Sequence, residues 1–388
     1  MKVLVTEAEK RNSLAMVRSL SKKGCEVHAA GHLRFSQAFF SRFCRRRISY
    51  PSPTLEPRRF IAALLEILRR GDYDVLLPAH DFTTVPISRY SIDFRPVVAS
   101  VIPDYDKCEA VRDKRNLMAK AAELGLDIPR TFCPRSRREA EEVSRELNYP
   151  CVLKPRKGLG ATGVRYLACA KELVACYGDS SPYLYSSPPA ESIFDFTFPI
   201  IQEYIPGETH DLCFLFRDGE PRALFTQHRL KTYPAQGGRG IVLEATEEPE
   251  LIEIGLTLLR ELRWHGPGQL EFRIDSRDGK LKLIEMNTRF WGAVDLAIQA
   301  GVDFPFLTCR MAVEGDIEPV CEYRVGTRYR MWFPYELAWA YQSRKLASFG
   351  EFFSIDRASH CAIWPSDPLP HLIEQLYLVT SQVFTRRS

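Results

Sequence analysis

Residues 268–289 form two apolar–polar runs, Gly268-Gln269-Leu270-Glu271-Phe272-Arg273-Ile274-Asp275 and Leu281-Lys282-Leu283-Ile284-Glu285-Met286-Asn287-Thr288-Arg289, split by a short polar turn. Successive side chains of a strand point to opposite faces. Leu270, Phe272 and Ile274 thus share one face, and Glu271, Arg273 and Asp275 the other. Glu285 and Asn287 likewise share a face. Arg277-Asp278-Gly279 suits a three-residue hairpin connection with a left-handed glycine. That register sets Glu271 opposite Glu285, whereas a two-residue turn would separate them. Two carboxylates and an amide oxygen on one patch form an oxygen-only donor set, which suits Mg²⁺. A solvated strand face would carry similar charges. The apolar residues around Glu285 argue instead for a buried strand, where unpaired carboxylates are costly.

A second segment, Gly158-Leu159-Gly160-Ala161-Thr162-Gly163, matches G-x-G-x-x-G. A dinucleotide site needs a strand before this loop and a helix after it. Here one strand (Cys151-Val152-Leu153-Lys154) precedes and another (Val164-Arg165-Tyr166-Leu167) follows. A glycine loop joining two strands can act as a flap over phosphates, with the Lys154 ammonium reaching them. An ordinary glycine-rich hairpin would read the same way. A third segment, Ile200-Ile201-Gln202-Glu203-Tyr204-Ile205-Pro206-Gly207-Glu208, is an apolar strand ending in an acidic residue and a turn.

The first hundred residues alternate strand and helix, which implies a parallel sheet. Strands are expected at 3–6, 25–30, 74–77 and 95–99, and helices at 12–23 and 57–70, followed by Gly24 and Gly71. No glycine follows the first strand, so a dinucleotide would lack close backbone approach there. Residues 104–124 read as one long helix. A smaller α/β unit spans 131–203, with an inserted loop at 178–199 containing Ser186-Ser187-Pro188-Pro189. Strands dominate 199–287, interrupted by a helix near 250–263. The tail carries a strand near 328–333 and a helix near 369–384.

Composition narrows the class. Across 388 residues the apolar share is 45%, enough for a core and too much for disorder. A net charge of +4, with basic clusters at 42–47 and 135–138, falls short of a nucleic-acid footprint. The N-terminus reads as a short strand, not a signal peptide. No apolar run approaches the ~20 residues that span a bilayer. A cytoplasmic protein without membrane or nucleic-acid partners is expected. The 11 cysteines include no C-x-x-C pair, so neither a disulfide framework nor a zinc site is expected from them.

In this order, across residues 1–312, the pieces resemble the ATP-grasp superfamily. They are a Rossmann-like start without its glycine loop, Asp113-Lys114, Leu153-Lys154-Pro155 with its glycine flap, Gln202-Glu203-Tyr204-Ile205-Pro206-Gly207, and Glu285-x-Asn287-x-Arg289. Gln227-His228-Arg229, Tyr233-Pro234 and Gly237-Gly238 bring the resemblance nearest to stand-alone carboxylate–amine ligases, with a grasp like that of carbamoyl-phosphate synthetase or D-alanine–D-alanine ligase.

The resemblance implies a mixed fold, α/β and α+β. A Rossmann-like pre-ATP-grasp domain would span 1–103, a small lid subdomain with its linker helix 104–203, a large catalytic subdomain 204–313 and a C-terminal extension 314–388. It implies ATP and two Mg²⁺, with Mn²⁺ able to substitute. Lys114 and Lys154 would contact phosphates, and Lys154 would also serve catalysis. Gly158, Gly160, Thr162 and Gly163 would close over them. Glu203, with the Tyr204 and Ile205 backbone, would meet adenine. Glu271, Glu285 and Asn287 would hold metal, and Arg289 would stabilise an acyl phosphate.

Members often carry a ribose carboxylate two places after the hinge glycine. This chain has Thr209 there, with Glu208 or Asp211 as replacements. Acceptor contacts would come from Asp81, Arg239, Arg289 and Trp291, with Arg328, Arg330 and Trp332 capping that side. The implied activity is amide formation from a small-molecule carboxylate and an amine, with release of ADP and phosphate. A biotin-carboxylase-like or thiol-ligase enzyme and a non-catalytic nucleotide-binding module are the alternatives. A homodimer is compatible with all three.

Overall fold

The computed structural model describes residues 1–158, 160, 162–177, 193–195, 197–233, 238–343, 359–361 and 364–376. Three sheets organise them. The first has the order β3-β2-β1-β4 and is wholly parallel, built from β1 (Lys2–Val5), β2 (Glu26–Gly31), β3 (Arg46–Ser49) and β4 (Val75–Leu77). The second is antiparallel with the order β5-β8-β6-β7, from β5 (Thr131–Phe132), β6 (Cys151–Lys154), β7 (Arg165–Leu167) and β8 (Ile200–Glu203). The third has seven strands. They are β9 (Gly207–Arg217), β10 (Glu220–Tyr233), β11 (Arg239–Thr246), β12 (Gly266–Asp275), β13 (Leu281–Asn287), β14 (Arg328–Arg330) and β15 (Ser359–Cys361), in the order β13-β12-β9-β10-β11-β14-β15.

Alternation along β9 divides the large sheet between two cores. Leu212, Phe214 and Phe216 pack with Leu270, Phe272 and the helices Pro249–Glu261 and Lys114–Glu123. Cys213 and Leu215 point the other way, into a core shared with Val3, Val5 and the helices Val294–Ala300 and Phe304–Glu314. The N-terminal parallel sheet and the large sheet are therefore joined through buried apolar surface. Truncating a side chain such as Phe272, fully buried there, costs about 3–5 kcal/mol. Among the described residues no single helix is long and apolar enough to cross a membrane.

Several elements differ from the sequence expectation. Residues 95–99 contribute only an isolated bridge between Val75 and Ala99. The expected strand is absent because Phe94 closes the short helix Ser91–Phe94 just before it. The basic stretch at 42–47 partly forms β3. The helix expected over 104–124 is two helices, Tyr105–Arg112 and Lys114–Glu123. Asp113 breaks it by adopting an extended conformation, and its carboxylate caps the second helix by accepting from the Arg115 amide. The expected loop at 178–199 and helix at 369–384 lie mostly or partly outside the described residues; helical turns are described at 369–376.

Candidate active site

The hairpin of β12 and β13 reaches its register by a different route from the expected one. Four residues, 276–279, connect the strands: the Asp275 amide donates to the Lys280 carbonyl, and Gly279 is left-handed at φ +74°. This connection pairs Ile274 with Leu281, Arg273 with Lys282 and Phe272 with Leu283. Unbroken, it would set Glu285 on the apolar face with Phe272. A β-bulge at Ile284 shifts the register by one residue, so Glu271 pairs with Glu285 and Gln269 with Asn287. The bulge keeps both the apolar residues and the carboxylates on their proper faces.

Cations surround this patch. The break at Asp113 makes Lys114 the first residue of its helix, and its Nζ lies 3.4 Å from Glu285 Oε2. The Lys114 amide donates to the Arg156 carbonyl, and the Arg156 guanidinium pairs with Asp113. The helix start is thereby pinned to the strand end carrying Lys154. Burial pushes the Lys154 ammonium down to about 8, more than Glu285 pulls it up. Burial would raise Glu285, but Lys114 and Lys154 outweigh it and hold its carboxyl below the ordinary range. Glu271 lies above that range, through burial opposed by Arg229. The Asn287 amide donates to Gln269 Oε1 over 3.2 Å, and Asn287 Oδ1 accepts from Arg289 Nη2 over 3.1 Å.

These groups line one cavity of about 400 Å³ between the small and large sheets. Lys114, Lys154, Glu271, Glu285, Asn287 and Arg289 reach it, as do Glu203, Tyr204 and Ile205. Gly158, Gly160 and Thr162 border it, with Gly160 left-handed at φ +57°. Gly163 is left-handed as well but does not line the cavity, and Leu159 and Ala161 lie outside the described residues. The turn after Ile205 requires glycine: Gly207 has φ +126°, and a Cβ there would sit 2.0 Å from the Ile274 carbonyl oxygen. The Glu203 carboxylate is already engaged by Arg277 at 2.6 Å.

The two acidic replacements for a ribose carboxylate are not presented to the cavity. Glu208 lies on the other face of β9, beside His210 and His228. Asp211 is fully buried and closed off by Arg229 at 2.6 and 2.9 Å and by Gln227 Nε2 at 2.8 Å. Thr209 itself lines the cavity. Asp81 also stays behind the surface, accepting from Arg289 Nε over 2.7 Å, while Arg239 and Trp291 line the cavity. Arg328 and Arg330 are paired with Glu244 and Glu336 and do not line the cavity.

Residues given no site role from the sequence also enter. Arg229 Nη2 lies 2.5 Å from Glu271 and bridges it to Asp211. Lys10, Arg11, Asn12 and His80 bring the N-terminal part of the chain to the cavity wall. Asn12 Nδ2 donates to the carbonyls of Ala79 and Phe290, tying the two parts together. His80 is held well below its ordinary value by burial and then by Arg289, so its ring is neutral. The signal for Arg229 was alternation along β10. Nothing local marked His80, whose position depends on a distant contact.

The donor chemistry fits Mg²⁺. Glu271 and Glu285 face each other with the Asn287 and Gln269 amide oxygens beside them, all hard oxygen donors.

Comparison with known proteins agrees with this geometry. Residues 196–332 match the family described as ATP-grasp in the biosynthetic pathway with Ter operon. The carbamoyl phosphate synthase large chain of Clavibacter michiganensis subsp. michiganensis is 25% identical over 219 residues, 53% of this chain and 19% of that protein. This chain spans a third or less of the length of such curated relatives. The biotin carboxylase domain of Hydrogenobacter thermophilus 2-oxoglutarate carboxylase, solved with Mg-ADP and bicarbonate, superposes with a TM-score of 0.65 at 18% identity, covering 84% of this chain and 73% of that one. An L-amino acid ligase from Bacillus licheniformis gives 0.57 at 15% identity, covering 82% and 77%. Residues 196–332 thus match an ATP-grasp family, and the cavity between two sheets and the fold resemble those of ATP-grasp proteins.

Proposed function

We propose that this chain uses Mg-ATP to activate a small-molecule carboxylate as an acyl phosphate and joins it to an amine. The observation that carries the reading is the convergence of Lys114, Lys154 and Arg289 on the Glu271–Glu285–Asn287 patch within one cavity. A carboxylate oxygen is a poor acyl leaving group, and phosphorylation makes it a good one. In the first step the substrate carboxylate attacks the γ-phosphorus and ADP leaves. In the second the amine nitrogen attacks the acyl carbon, phosphate leaves and the nitrogen gives up a proton.

Positioning and charge neutralisation supply most of the catalysis of such a transfer. Glu271, Glu285 and Asn287 would hold Mg²⁺, two ions with Mn²⁺ able to substitute, whose charge offsets that of the phosphates. Lys114 and Lys154 bind the phosphate oxygens. Arg289, oriented by Asp81 and Asn287, meets charge developing on the transferred group. The loop carrying Gly158, Gly160, Thr162 and Gly163 closes over the phosphates and keeps water from the intermediate. The Tyr204 and Ile205 backbone meets adenine. Trp291 and Arg239 face the acceptor.

In this reading residues 1–103 are the pre-grasp domain, 104–203 the lid with its linker, 204–313 the catalytic subdomain and 314–388 an extension. The extension reaches back through Asp367 and Glu374, which pair with Arg18 and Arg11 of the helix Arg11–Lys22.

The test is ADP release with panels of carboxylates and amines, with hydroxylamine added to trap an acyl phosphate as its hydroxamate. ADP release requiring both substrates, with hydroxamate formed in place of amide, supports the ligase. Release with bicarbonate alone would make it a carboxylating enzyme. A stable phosphorylated product would make it a kinase.

A further inference from the structure

β9 and β10 pair so that His210 lies directly opposite His228. Gln227 and Arg229 face the cavity, so alternation sends His228 to the other side of the sheet. Glu208, two residues before His210, shares that side. Three ligand atoms gather there: Nε2 of His210 and Nε2 of His228 lie 3.7 and 3.4 Å from Glu208 Oε2, and all lie within 4.8 Å of one another.

The hydrogen bonding of His210 prepares it as a ligand. Its Nδ1 is 2.9 Å from Glu248 Oε1. A carboxylate oxygen accepts, so the hydrogen of this bond lies on Nδ1 and Nε2 is the nitrogen left to coordinate. His210 is 7% exposed, and this Nε2 is buried without a hydrogen-bond partner. A buried polar atom left unsatisfied in this way is costly and calls for a partner. A carboxylate behind a histidine is the arrangement that orients metal-binding imidazoles. Glu248 is itself held, accepting from the Thr246 hydroxyl at the start of the helix Pro249–Glu261.

We propose that Glu208, His210 and His228 form a binding site for a divalent transition metal, Zn²⁺ being the best fit, on the opposite face of the sheet from the Mg²⁺ donors. Two imidazoles and a carboxylate with one open position suit Zn²⁺, and nitrogen donors discriminate against Mg²⁺. The cysteine spacing held no sign of zinc; the cross-strand histidine pair supplies one. The two rings stack with centroids 4.3 Å apart and planes 3° from parallel. A shared metal must lie near both ring planes, so His228, 17% exposed at its side chain, turns out of the stack while Glu248 anchors His210. Binding clamps β9 to β10 behind Asp211 and Arg229.

The experiment is calorimetric titration of the chelator-stripped full chain with Zn²⁺, paired with the visible spectrum of the Co²⁺ form. One saturable Zn²⁺ per chain is expected, with a Co²⁺ spectrum free of thiolate charge transfer. Glu248→Gln, which leaves all three ligands in place, should weaken binding about 10–100-fold. His228→Ala and Glu208→Gln should weaken it further, while Glu285→Gln leaves it unchanged. Circular dichroism melts establish that each variant is folded. Absence of saturable binding, thiolate ligation of Co²⁺, or undiminished affinity in folded His228→Ala would overturn the proposal.

Discussion

Asp81 Oδ2 accepts from Arg289 Nε over 2.7 Å, although 208 residues separate them. The pair is buried. The same guanidinium donates through Nη1 to the Phe290 carbonyl and through Nη2 to Asn287 Oδ1. Arg289 is thus held on three sides and presented to the cavity with little freedom. Asp81 is buried behind Arg289 and orients its guanidinium.

Arg289→Ala should lower turnover by about 10²–10³, the effect of losing one preorganised donor. ATP affinity should change far less, because in the proposed reading Lys114 and Lys154 hold the phosphates. Since the substitution also leaves Asp81 unpaired, Arg289→Lys serves as a second variant: it keeps a charge but loses the fixed fork. ATP affinity and ADP release measured on both variants decide the matter. Unchanged turnover would remove Arg289 from the mechanism, and equal loss of binding and turnover would make it a binding residue.

Asp81→Asn should lower kcat more than it raises the KM for ATP. Breaking a buried pair costs about 3–5 kcal/mol in stability, so thermal melts accompany the kinetics. The pair also predicts an acid limb. Burial would raise the Asp81 carboxyl, but the Arg289 and Arg112 guanidiniums outweigh it and hold it at about 2. A carboxyl lowered on folding contributes stability above its unfolded value of about 3.9, lost as pH falls toward 2. That contribution is about 2 kcal/mol. Chemical denaturation at stepped pH should show it in the parent chain and not in Asp81→Asn.

ATP binding should take up a proton above pH 8. Burial holds the Lys154 ammonium at about 8 without ligand, and adjacent phosphates favour its charged form. Above that pH the free protein has lost the proton and the complex regains it. Calorimetry of ATP binding in buffers of different ionisation enthalpy measures the uptake, and Lys154→Met should abolish it. Uptake that persists in the variant would assign the proton to another group.

Glu285→Gln should raise the Mg²⁺ concentration required for ADP release by at least tenfold. The substitution preserves shape and removes the charge that Lys114 and Lys154 stabilise. An unaltered Mg²⁺ requirement would take Glu285 out of the metal patch.

Much of the site was legible in local chemistry. Alternation identified the face carrying Glu271 and Glu285, and the glycine-rich loop was read as joining two strands, as it does, rather than leading into a helix. Periodicity does not report an extra residue within a strand, so the bulge at Ile284 and the four-residue connection stayed hidden. The break at Asp113 was hidden as well, because an aspartate in an apolar-periodic run reads equally as helix surface or as a cap.

Sequence by itself determined which residues alternate, where glycine permits a tight turn, and that a carboxylate pair, two lysines and a glycine loop follow one another along the chain. Tertiary structure decided which charges meet. Arg229 joins Asp211 to Glu271, Asp81 positions Arg289, and Asp211 is closed off while Thr209 faces the cavity. Local patterns extend over one strand or helical turn. A buried ion pair is instead selected by the packing of elements distant in sequence, since each charge leaving water requires a partner from whatever surface the fold brings against it.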